Sequence, residues 1–177
     1  MADNICNNIL QKIITNSAVK KKDRVSQEDF LLAPLEDSHI KHLIRCAKKP
    51  DLVESMGWDT HFESHETEQF IQSISSCALP YCRKESKPIV FGIFFKKESI
   101  PIGYSVLKGM NTEIAGAEIG IAILKTKCRG GGYGKLALKK TVEYGFFSMN
   151  LEIIGATILL SNKISRNMCK RVGFREK

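Results

Sequence analysis

The sequence predicts one domain of mixed α and β structure, an α/β (α+β) fold with an antiparallel strand meander at its centre and a strand, helix, strand, helix run at its end. Three observations carry this. The 177 residues, 43% hydrophobic and 26% charged, suffice for one sizeable core, are too few for two ordinary domains and are too balanced for disorder. From Pro88 the apolar residues follow a strand pattern through residues 89–95, 100–107 and 113–124, separated by turns. After a glycine-rich turn at 129–134 the period lengthens to that of a helix running to about Met149, and a strand (152–160) and a helix (161–172) follow. A strand, helix, strand crossover implies a parallel pair at that point.

The first half reads less regularly. Ile5, Ile9, Leu10, Ile13 and Ile14 are split by Asn7, Asn8, Gln11 and Lys12, a pattern that predicts a short amphipathic helix rather than a targeting peptide. With the basic linker Lys20, Lys21 and Lys22 it forms an N-terminal segment, residues 1–27, ahead of a domain at 28–177. Residues 29–33 read as a first strand. Asp37 or Ser38 then caps a helix that Pro50 stops, and a second helix fits residues 66–76. Met56, Gly57 and the single tryptophan, Trp58, lie in a loop between the helices, where the indole serves as a hydrophobic plug or touches a ligand.

No apolar run approaches the length of a membrane span, and the six cysteines (Cys6, Cys46, Cys77, Cys82, Cys128, Cys169) form no C-x-x-C pair. Free thiols in a soluble cytoplasmic protein are the expectation. His39 with His42 and His61 with His65 are spaced closely enough to suggest a metal, but solvated side chains account for them more simply, and no metal is expected. The net charge of +8 is unevenly placed: residues 125–177 hold twelve basic and three acidic residues, net +9, leaving −1 for residues 1–124. The C-terminal third therefore faces an anion. Residues 50–82 contain Asp51, Glu54, Asp59, Glu63, Glu66 and Glu68 without a lysine or arginine, a bias that draws a cation unless it reflects only acids at helix starts.

The run Cys128-Arg-Gly-Gly-Gly-Tyr-Gly-Lys135 follows a strand and opens a helix. Its glycines let the backbone approach a ligand and turn several N–H groups toward one point, which suits a phosphate. It is not a Walker A loop, since Arg129 stands where the first glycine should be and Leu136 where Ser or Thr should be. Gly132, Gly134 and Ala137 fit G-x-G-x-x-A, yet a dinucleotide fold puts that motif in an early βαβ unit, not after a meander. What matches is R-x-x-G-x-G, with Arg129, Gly132 and Gly134, which resembles the pyrophosphate loop of the GNAT superfamily of N-acetyltransferases. Residues 117–124, Asn162-x-x-Ser165 and Val172-Gly-Phe174 are similar to that family's fourth strand and closing helix. The opening Phe30-Leu-Leu-Ala-Pro-Leu35 with Gly57-Trp58-Asp59 is similar to the ribosomal-protein-alanine acetyltransferase branch.

The resemblance implies a mixed, mostly antiparallel central sheet with helices on both faces, here without the final strand or strands because the chain stops at Lys177. Either the domain is then truncated, or a second copy of the chain in a homodimer or the N-terminal helix covers the open edge. It also implies acetyl-coenzyme A as cosubstrate, with Gly130, Gly131, Gly132, Tyr133 and Gly134 presenting N–H groups, and Arg129 and Lys135 adding charge. The pantetheine arm would border Ile121, Ala122 and Ile123, and Asn162 and Ser165 would face the cofactor.

An acetyl thioester is already activated, so such an enzyme must align a neutral amine, stabilise the oxyanion and help the thiolate leave. The resemblance makes Glu118, on the strand that the family uses for such a carboxylate, the candidate proton acceptor, with an ordinary polar side chain as the equal alternative. Cys169 stands where many family members carry a tyrosine that protonates the thiolate, and the alternative for it is a space-filling thiol. In the two C-terminal helices Leu138, Val142, Phe146 and Met149, and then Ile164, Met168 and Val172, read as core. The acceptor is an amine, with a protein N-terminal α-amino group as one form of it. The rivals are a noncatalytic basic nucleic-acid or ribosome-binding module, which explains the charge but not the glycine loop, and a GNAT fold of impaired activity.

Overall fold

The structure is a computed structural model that describes residues 9–15, 30–48, 52, 66–75, 79–80, 82–83 and 86–176. Seven strands, β1 (Ile9–Thr15), β2 (Phe30–Pro34), β3 (Ile89–Phe95), β4 (Gly103–Asn111), β5 (Gly116–Ile123), β6 (Ile153–Leu159) and β7 (Arg175–Glu176), form one sheet in the order β2-β3-β4-β5-β6-β1-β7. All neighbours are antiparallel except β5 and β6, which the intervening helix connects as a parallel crossover.

Among the described residues four helices cover the sheet: α1 (Asp37–Ala47), α2 (Glu66–Ser75), α3 (Tyr133–Ser148) and α4 (Lys163–Val172). In α1, Ile40, Leu43, Ile44 and Ala47 repeat at helical spacing and are buried. With Phe70 and Ile74 of α2 they pack on Tyr104, Val106, Ala122 and Leu124. On the opposite face Leu138, Val142 and Phe146 of α3 meet Leu107, Ala117, Ile119, Ile154 and Ala156, each large apolar side chain contributing roughly 1.5–3 kcal/mol by leaving water. A buried hydrogen bond from Ser105 to Thr141, 2.8 Å, ties β4 to α3.

Three expectations are corrected. Residues 9–15 form strand β1 rather than a helix: the chain pairs antiparallel with all of β6, Ile9 opposite Leu159 and Thr15 opposite Ile153. An edge of unpaired N–H and C=O groups on β6 overrides the local helical spacing. The same pairing decides between the expected covers of the open edge, for the N-terminal segment itself, as β1, sits beside β6 and β7 pairs with β1's other side. Glu36, not Asp37 or Ser38, is the N-cap of α1, and its N–H donates to His39 Nδ1 at 3.2 Å in a capping box. Ile164 is 84% exposed and is not core, whereas Met168 and Val172 do pack inward. Strand limits shift too, because the hairpin tip between β4 and β5 takes a turn at Ala115 with φ 44°.

Candidate active site

Strand β5 lies at the centre of the site. Alternation turns Ile119, Ile121 and Ile123 toward α3 and α4, and Glu118, Ala122 and the following Leu124 toward α1 and α2. Its pairing with β6 covers only Gly116, Ala117 and Glu118, opposite Ile153, Ile154 and Gly155. Beyond Glu118 the two strands diverge while both continue, leaving a fork bordered by Ile121, Ala122 and Ile123.

The chain leaves β5 through a 3₁₀ turn at Thr126–Cys128 and enters the glycine loop. Arg129 Nε donates to the Ile123 carbonyl at 3.0 Å, so the guanidinium fastens the loop to the end of β5. Gly130 and Gly132 take φ of 79° and 83°, a region costly for side chains, and a Cβ at either would meet nothing within 4 Å. That open space lies before the first turn of α3, where Gly132 is the N-cap. The N–H groups that open a helix have no partner inside it, so Tyr133, Gly134 and Lys135 offer donors at the positive end of the helix dipole. Gly130, Gly131 and Gly132 are exposed and Lys135 is half-buried. The ring of Tyr133 lies beside Gly131 and packs edge-on against Phe95, 4.9 Å between centroids. A Cβ on Gly134 would stand 3.2 Å from Met168 Sδ, which shows how closely α3 starts against α4. The loop thus has the conformation, donors and space that a pyrophosphate needs.

Asn162 Oδ1 accepts the Ser165 N–H at 3.0 Å and caps α4, so the N-x-x-S spacing has a structural explanation of its own. Cys169 is 3% exposed in the cluster with Leu138, Val142 and Phe174. Its carbonyl also receives the N–H groups of Gly173 and Phe174 that end the helix. These are the surroundings of a packing residue. Cys169→Ala is expected to leave kcat within about twofold and to cost about 1 kcal/mol of stability in urea unfolding. A proton donor would instead lose 10²- to 10⁴-fold in kcat.

Glu118 is buried at 3% exposure on the α1/α2 face, at the last paired register before the fork. Its Oε2 accepts the Leu79 N–H at 3.1 Å, and its Oε1 lies 3.5 Å from Lys108 Nζ on β4. Neither partner was anticipated from the sequence, although one lysine inside the apolar run of β4 was a visible sign. Tyr104 lies on the same face, its hydroxyl pushed well above its usual range by burial and held neutral. The residues at Met56, Gly57, Trp58, Asp59, His61, Glu63 and His65 lie outside the described residues, as does the side chain of Glu66. The described cysteines Cys46, Cys82, Cys128 and Cys169 are free thiols, and no helix among the described residues is long and apolar enough to cross a membrane.

The profile of the acetyltransferase (GNAT) domain matches residues 29–175. The chain belongs to the GNAT acetyltransferase family. It is therefore an acyl-coenzyme A-dependent N-acetyltransferase whose acetyl donor is acetyl-coenzyme A. Solved structures with the same fold include the Vibrio cholerae spermidine N-acetyltransferase in complex with coenzyme A and spermine, 17% identical, with a TM-score of 0.69, covering 84% of this chain and 82% of that one. A Vibrio cholerae protein named for ribosomal-protein-serine acetylation is 22% identical, TM-score 0.63, over 86% and 83%. A Bacillus anthracis acetyltransferase of the GNAT family is 23% identical, TM-score 0.65, over 84% and 81%. No protein of curated function matches the sequence. At these identities the likeness concerns the fold, so neither the alanine branch nor any particular acceptor follows from it.

Proposed function

We propose that this GNAT enzyme acetylates a neutral primary amine presented from the α1/α2 side of the fork, with a protein N-terminal α-amino group as the first choice. The observation that carries this reading is Glu118, a buried carboxylate at the point where β5 and β6 part. Acetyl-coenzyme A supplies an activated acyl group. The glycine loop holds its pyrophosphate, with Lys135 adding charge at the first turn of α3, and the backbone around Ile121, Ala122 and Ile123 borders the pantetheine. Glu118 takes the proton that the amine sheds, directly or through water, as the nitrogen bonds to the carbonyl carbon and the thiolate leaves. Solvent reprotonates the thiolate.

An α-amino group with a reference pKa near 8 is roughly a tenth neutral at pH 7, whereas a lysine near 10.4 is less than about a thousandth neutral, so the first needs less help. The ribosomal-protein-serine acetyltransferase with this fold supports a protein acceptor. The acidic bias of residues 50–82 and the spermidine acetyltransferase support a small cationic amine as the second reading. Incubating the protein with acetyl-coenzyme A and a panel of Ser- and Ala-initiated peptides, the same peptides blocked at the N-terminus, spermidine and spermine decides between them. Mass spectrometry should find one added acetyl group on the free peptides and none on the blocked ones. Acetylation of the polyamines alone would replace the first reading by the second, and acetylation of nothing would remove both.

A further inference from the structure

Lys108 and Glu118 face each other directly across β4 and β5, with side chains only 12% and 4% exposed. A buried ion pair contributes little net stability, because desolvating the two charges offsets their attraction, so stability is a weak account of this pair. Its surroundings are built to place it. The register of β4 and β5 shifts between Lys108 and Asn111, where Gly109 takes φ 61° and its carbonyl receives the Arg83 N–H at 3.2 Å, and such a bulge re-aims the side chains beside it. Gly120, next on the same face of β5, leaves room for the lysine stem: a Cβ there would lie 3.0 Å from Val106 Cγ1 and 4.0 Å from Lys108 Cε. The Leu79 N–H holds the other carboxylate oxygen. The contacts from the Leu79 N–H and the Lys108 ammonium, one on each oxygen, set the orientation of the carboxylate.

We infer that Lys108 is the positioning residue of the acceptor-side carboxylate, acting on acetyl transfer through Glu118 and not on the cofactor. This rests on the reading that Glu118 receives the amine proton. The wild type, Lys108→Met, Lys108→Arg, Glu118→Gln and the Lys108→Met/Glu118→Gln double variant would be compared, with a Ser-initiated peptide and spermidine as acceptors. Calorimetric affinity for coenzyme A and the melting temperature report whether each variant is folded. Lys108→Met is expected to lower kcat by about tenfold to a hundredfold, the scale of a misplaced catalytic group, with the acetyl-coenzyme A KM unchanged. Lys108→Arg, which keeps the charge, should recover most of the loss. Because one residue acts through the other, the double variant should match Glu118→Gln within about twofold.

A folded Lys108→Met with wild-type kcat, or a double variant in which the two losses multiply, overturns the inference while leaving Glu118 in place. Glu118→Gln with wild-type kcat overturns the reading of Glu118, and no transfer to either acceptor by the wild type overturns the proposed function; both take this inference with them. If Lys108→Met does not fold, the Lys108→Arg and Glu118→Gln pair decides it: an arginine variant that folds but turns over no better than Glu118→Gln counts against charge-based positioning.

Discussion

Replacing Glu118 by glutamine is expected to lower kcat by about 10²- to 10⁴-fold, the usual worth of general base catalysis, with little change in affinity for coenzyme A. The substitution keeps the size of the side chain and an acceptor oxygen for the Leu79 N–H, and it removes the charge and the capacity to take a proton. Lys108 would then face an amide, so some loss of stability is also expected from an uncompensated buried cation. Steady-state kinetics with saturating acetyl-coenzyme A should be read beside the melting temperature, since the two readouts separate catalysis from folding. A variant that has lost stability but kept kcat would make Glu118 a strut between β5 and the segment at Leu79, and the base would have to be sought elsewhere or be water.

The second large effect concerns the glycine loop. Gly132→Val places a β-branched residue at φ 83°, a left-handed conformation that costs about 1–2 kcal/mol for a side chain. No neighbour lies within 4 Å of the new Cβ, so the domain has no clash to relieve and should stay folded. The valine stands instead in the space a pyrophosphate would take. Losing two charge-assisted hydrogen bonds at about 1.5 kcal/mol or more each weakens coenzyme A by more than about a hundredfold, which calorimetry would read directly. Unchanged affinity in a folded variant would remove this loop from cofactor binding. Gly134→Val is a less clean test, because its side chain would press on Met168 and Ile123 before any ligand arrived.

The parts of this protein that depend on neighbours in the chain were legible from the residues alone. The two-residue alternation of Ile119, Ile121 and Ile123 set the faces of β5, the spacing of Leu138, Val142 and Phe146 set the buried stripe of α3, and the glycines at 130–132 marked the turn that opens α3. Each is a local rule in which backbone geometry dictates where successive side chains point. The family followed from the order of such local signals, and the domain profile over residues 29–175 agrees with it.

What the tertiary structure decided depends on partners far apart in the chain. Ile9, Leu10, Ile13 and Ile14 satisfy a helical spacing, and only the open edge of β6 makes them a strand. Ile164 has the period of a core residue, but it lies in the first turn of α4 and is left 84% exposed. From the sequence Glu118 reads equally as a proton acceptor or an ordinary polar side chain, and only the fold brings the Leu79 amide, 39 residues away, and Lys108 across the strand pair against it. Hydrophobic period and turn chemistry act over a few residues, whereas burial, strand pairing and ion pairing are settled by which surfaces meet after the chain has collapsed.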